Sequence, residues 1–177
     1  MELLKEISPA TARMVMHSSL NYPWVKQCIQ SAEAAAARLS VSLTVSNVQD
    51  LPELERDIAA FGVQPNGGLV VMADTLAVVN YQRIIQLAHQ HRLPAIYPWP
   101  FCPRSGGLSS YSFDIVRLLR AGAGYIDRIL RGAKPSELPV QQPTRFDFIL
   151  NLKTAQALGL TIAPSLLARA DEVIEWV

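Results

Sequence analysis

Five side chains stand where they could take hold of a small solute: Asp74 and Thr75 in "MADTL", Tyr97 in "IYPWPF", and Ser110 and Tyr111 in "LSSYS". The Asp74 carboxylate could hold an ammonium group through charge-assisted hydrogen bonds. It could equally cap the helix expected to begin near Thr75. Tyr97, Trp99 and Phe101 are interleaved with Pro98 and Pro100. Their rings could stack on a planar or apolar solute, or plug an edge of the domain. Ser110 and Tyr111 offer hydroxyls. Asn21 and Tyr22, in "SSLNYP", could also reach a solute, although Asn and Pro make an ordinary turn there.

Other chemistry finds little support in the residues. His89 and His91 are two apart on an expected helix and point to different faces, which argues against a shared metal. His17 closes an apolar run and reads as a structural group. Cys28 and Cys102, the two cysteines, fit no metal or redox spacing. Gly106 and Gly107 suit a tight backbone turn rather than a phosphate loop. No Ser–His–Asp order or nucleophile elbow can be assembled. The expectation is a binding protein without catalytic residues, metal or cofactor.

The elements that must position these residues follow from the apolar patterning. "ARMVMHSS", "VSLTVSNV", "GGLVVMA", "LPAIYP" and "LSSYS" read as strands. "LLKEI", the alanine-rich "PWVKQCIQSAEAAAARLS", "DLPELERDIAAFG", "DTLAVVNYQRIIQLAHQHR" and "FDIVRLLRAGAGYIDRILRG" read as helices. Asp50 is a plausible cap for the third, Gly62 its stop, and Gly132 closes the last. Strands alternating with helices at this spacing argue for an α/β domain, a three-layer parallel sheet covered on both faces. In such sheets ligands meet the carboxyl ends of the strands, where the five side chains fall.

Beyond this domain, expected over residues 1–133, a proline-rich connector at 134–143 leads to a strand–helix arm at 144–177. In "FDFILN", Phe146, Phe148 and Leu150 alternate with Asp147 and Ile149, as in a strand with one buried face. Burying each of those three could contribute roughly 1.5–3 kcal/mol. An uncovered strand of this kind would invite association. The helix "LKTAQALG" and a proline-started turn at "APSLLARA" follow.

At 177 residues, 50% hydrophobic and 18% charged, the chain can bury a real core. A formal net charge of +1, with no basic run, makes nucleic acid and anionic membranes poor partners. No apolar stretch approaches a membrane span, and "MELLKEISPATAR" lacks the features of a signal peptide.

"HRLPAIYP", "GGLSSYS" and "YIDRILRGAKPSELPVQQPTRFDFILNLKTAQALGLTIAPSLLARADEVIE" together resemble the bacterial ABC transporter substrate-binding protein family related to tryptophan- and tyrosine-binding proteins. The resemblance runs over essentially the whole chain. It implies the two-lobed fold of type I periplasmic binding proteins, here cut to the flavodoxin-like second lobe plus a C-terminal segment returning to the first. It also implies non-covalent capture of an amino acid or another small metabolite, a permease partner and a periplasmic setting; without a signal peptide the setting would be cytoplasmic. Asp74 then resembles a ligand-side acid, and Asn21 and Tyr22 stand where the family carries an Asn-Pro-rich turn. "PWPFCPR" departs from the polar segment usual after the equivalent of Tyr97. The returning strand would need cover, and a homodimer exchanging the 144–177 arm would supply it. The rival readings are a dimeric sensor or relic without a transport role, and a small-molecule enzyme on the same scaffold.

Overall fold

The computed structural model describes residues 1–18 and 23–175. A short helix α1 (Glu2–Ile7) precedes strand β1 (Arg13–Ser18). Helix α2 (Val25–Arg38), β2 (Ser42–Asn47), α3 (Leu51–Gly62) and β3 (Gly67–Val71) follow. Next come α4 (Thr75–Val79), α5 (Tyr81–Gln90), β4 (Ala95–Tyr97), α6 (Phe101–Arg104) and β5 (Ser109–Phe113). The chain ends with α7 (Ile115–Leu130), β6 (Phe146–Asn151), α8 (Leu152–Ala157), α9 (Pro164–Arg169) and β7 (Glu172–Ile174).

Among the described residues the strands form a seven-stranded sheet in the order β2-β1-β3-β4-β5-β6-β7. Only the β5–β6 pairing is antiparallel. The α3–α6 segment covers one face, packing Leu54, Ile58, Ile84 and Cys102 on Val15, Leu69, Val71 and Tyr97. On the opposite face Leu4 of α1 meets Met14 and Ile96. Farther along that face, Ala155 of α8 and Leu166 of α9 meet Phe148 and Leu150. This is the expected three-layer α/β architecture, and the parallel strands are apolar on both faces because both are covered.

Local chemistry explains most boundaries. The Asp50 side chain accepts the Glu53 N–H at 2.8 Å and starts α3 as expected. Gly132, at φ +101°, lies just beyond α7. Gly62 has a different role from the expected stop: a Cβ there would sit 2.6 Å from the His91 Cβ, so glycine permits close packing. The helix expected in "DTLAVVNYQRIIQLAHQHR" divides into α4 and α5 at Asn80, whose Nδ2 donates to the Leu76 carbonyl at 2.8 Å. The short α6, the helix α9 in place of a turn, and strand β7 were not expected. Each is too brief to show a period of its own.

The larger correction concerns the C-terminal segment. β6 belongs to the same sheet as β1–β5, hydrogen-bonded to β5 on one side and β7 on the other. Phe148, Ile149 and Leu150 are all buried, so both faces of this strand are covered, not one. Phe146, expected in the core, is 43% exposed. The strand's face and edges are satisfied within its own chain, and an arm exchanged between two copies is not needed to cover it. The segment left outside is α7, none of whose residues is buried.

Candidate functional site

β1, β3, β4 and β5 run parallel, so their carboxyl ends gather along one edge of the sheet. The chain order reverses between β1 and β3, where sheets of this type open a crevice. His17 lies beside Val71 in register, and Tyr97 beside Ser110. Because Val70 pairs with Ile96, the next rung aligns Val71 with Tyr97. His17, Val71, Tyr97 and Ser110 therefore form one row across four strands, facing the α3–α6 layer.

That row holds hydrogen-bonding capacity the fold leaves unused. Among the described residues, His17 Nδ1, the Tyr97 hydroxyl and the Ser110 hydroxyl are buried without a hydrogen-bond partner. A buried polar group left in that state costs about 1–3 kcal/mol. The other ring nitrogen of His17, Nε2, lies 2.9 Å from Asp57 Oδ2 on α3. Burial lowers the His17 pKa, while the charges of Asp57 and, more weakly, Asp74 oppose the shift. His17 and Asp74 both line a small apolar cavity with Val48, Leu69 and Ile84.

Asp74 is the N-cap of α4: its Oδ1 accepts the Ala77 N–H at 2.7 Å, and the residue is 9% exposed. Thr75 opens that helix and is exposed. Tyr97 is a core residue; its ring lies where a Gly107 Cβ would approach to 2.8 Å, and burial pushes its phenol pKa up. Gly106, at φ +100°, makes the turn, and its carbonyl accepts hydrogen bonds from Thr154 Oγ1 and His89 Nε2, each at 2.8 Å. Trp99 stacks on Phe101 and both pack on the core, filling the domain edge. Burial drives the Cys102 thiol pKa up to about 12, so this cysteine stays protonated.

Tyr111 points the other way. It faces Phe148 in register and stacks on Phe146 with ring centroids 5.3 Å apart and planes 11° from parallel. The expected site residues thus separate into two groups. Asp74, Tyr97 and Ser110 lie on the α3–α6 side, while Tyr111 lies on the opposite face. Asn21 and Tyr22 lie outside the described residues. Sequence reasoning missed the His17–Asp57 pair, whose members are 40 residues apart and meet only through the packing of α3 on β1. Among the described residues, no group of three or more His, Cys, Asp or Glu side chains could hold a metal ion.

A family model described as "ABC transporter substrate binding protein" matches residues 1–174. No curated protein matches the sequence. Among solved structures, a conserved domain protein from Vibrio cholerae is similar at TM-score 0.88 and 23% identity, over 97% of this chain and 58% of that one. An ABC domain in complex with L-Trp from Streptococcus pneumoniae is similar at TM-score 0.88 and 24% identity, over 98% and 58%. A ligand-free, open substrate-binding protein with adhesive properties from Clostridium difficile is similar at TM-score 0.69 and 17% identity, over 99% and 58%. These likenesses concern the fold, and the chain spans about 58% of the length of each protein.

Proposed function

The chain belongs to the family of ABC transporter substrate-binding proteins, and from that premise we propose that it captures a small solute at its strand ends for an ABC-type importer. The observation that carries this reading is the row from His17 to Ser110, with buried hydrogen-bonding atoms that the fold does not use. Asp74 beside it supplies a carboxylate for an ammonium group. The Tyr111–Phe146 stack lies on the opposite face of the sheet and is no part of this row.

An amino acid is the solute class whose ammonium group the Asp74 carboxylate would hold. The L-Trp complex of the structurally similar Streptococcus pneumoniae protein supports that class. Capture is non-covalent, as suits a family of binding proteins, and a permease is the partner that would receive the solute. Work of this kind belongs outside the cytoplasmic membrane. Among the described residues, no helix is long and apolar enough to cross one.

Thermal-shift screening of the amino acids, followed by calorimetry on any hit, tests the reading. A solute at 100 times its Kd stabilises the folded chain by about 2.7 kcal/mol. Asp74→Asn should retain the cap and weaken an ammonium-bearing solute at least tenfold. Unchanged affinity would remove Asp74 from the site. No stabilisation by any amino acid would remove the solute class.

A further inference from the structure

A small cavity at the strand ends joins His17 of β1 to Asp74 at the start of α4. At about 10 Å³ it admits no more than a single water, so little solvent screens one side chain from the other. His17 also meets Asp57 of α3, with Nε2 2.9 Å from Oδ2. A carboxylate accepts, so Nε2 carries the ring proton and the unpartnered Nδ1 presents a lone pair. The residue is only 6% exposed.

Two acids therefore bear on one buried imidazole. Asp57 reaches it from α3, and Asp74 acts on it from the start of α4. Among the described residues around the cavity, Val48 after β2, Val71 of β3 and Ile84 of α5 add no charge. A neutral ring leaves the Asp74 carboxylate to a solute. A protonated ring sets a cation and a second N–H donor beside that same carboxylate.

We propose that His17 gates the solute site by its proton: the neutral ring lets Asp74 hold the solute's ammonium group, and the protonated ring displaces it. The inference rests on the reading of Asp74 as the partner of that ammonium group. Two cations competing for one carboxylate are linked, so the solute weakens proton binding by the same factor as the proton weakens solute binding. The sign follows from burial, which holds the folded His17 pKa below 6.5 against the pull of both acids. Capture is at full strength above pH 6.5 and weakens as the pH falls through the folded value.

Calorimetry of the full chain at pH 7.5 and 5.0, with the amino acid that stabilises it most, reads the gate. An amino acid keeps its ammonium charge over this range. The wild type should bind at least about fivefold more weakly at pH 5.0. His17→Gln, its fold checked by circular dichroism, should change less than about twofold, because it has no proton to take up there. Equal weakening in both proteins would overturn the proposal and leave solute capture intact. NMR titration of the His17 ring needs no variant at that position. The ring should titrate at lower pH when the amino acid is bound, and lower in solute-free Asp74→Asn than in the solute-free wild type. An unchanged titration in the solute-free pair would break the link between His17 and Asp74 without touching capture. If no amino acid binds, the capture reading fails and the gate fails with it, whatever the solute-free titrations show.

Discussion

The Asp74 carboxylate holds the first turn of α4 through the Ala77 N–H, and it also lies close enough to His17 to act on its ionisation. Asp74→Ala should cost about 0.5–2 kcal/mol of stability by loss of the cap, measured by urea denaturation. Asp74→Asn should cost only a fraction of that, which separates capping from solute binding. His17 gives a pH dependence whose sign follows from burial. Its folded pKa lies below the ordinary 6.5, because desolvation outweighs the attraction of Asp57 and Asp74. The unfolded chain therefore takes up the proton more readily, and stability falls as pH drops below 6.5. The melting temperature should decline between pH 7.5 and 5.5 in the wild type, and decline less in His17→Gln. Equal declines would mean that His17 contributes nothing. At Gly107, an added Cβ would meet the Tyr97 ring at 2.8 Å and the Cys102 carbonyl at 3.0 Å. Gly107→Ala should therefore destabilise by about 1–3 kcal/mol, because neither neighbour is a flexible side-chain end.

β6 and α7 are both apolar in sequence, and they meet opposite fates. β6 is interior to the sheet, with Phe148 at 3% and Leu150 at 0% exposure. Asn151 at its end fixes the layer beyond: Oδ1 accepts the Thr154 N–H at 3.0 Å, and Nδ2 donates to the Pro103 carbonyl at 2.8 Å. Phe148→Ala should cost about 3–5 kcal/mol, by lost burial and the cavity left behind. Leu119→Ala on α7 should stay within about 0.5 kcal/mol in the monomer, because that side chain is covered by nothing in its own chain. Urea denaturation of both variants checks the contrast. A small cost at Phe148 would contradict the place of β6 in the sheet.

As a whole, the molecule is one sheet with its helices, from which the segment 114–145 stands out. Among the described residues, the sheet and its two covering layers hold three hydrophobic clusters, none of which includes a residue of α7. The strand-end residues of the proposed site rest on this rigid part, which suits them to hold fixed hydrogen-bonding geometry. The exposed apolar residues of α7 form a stripe rather than a scatter.

The sequence alone determined the α/β class, the succession of five strands along the chain and the cap at Asp50, because periodicity and capping act within a few residues. The resemblance carried by "FDFILNLKTAQALGLTIAPSLLARADEVIE" pointed to the family that the match over residues 1–174 shows. Only the tertiary structure decided which apolar segment finds cover. Spacing shows which face of an element is apolar and not whether anything covers it, so pattern could not show that β6 is buried and α7 exposed. Nor could local rules bring His17 to Asp57 or align Tyr97 with Ser110. Those relations are set by strand register and by the packing of α3 on the sheet, which join residues far apart in the chain.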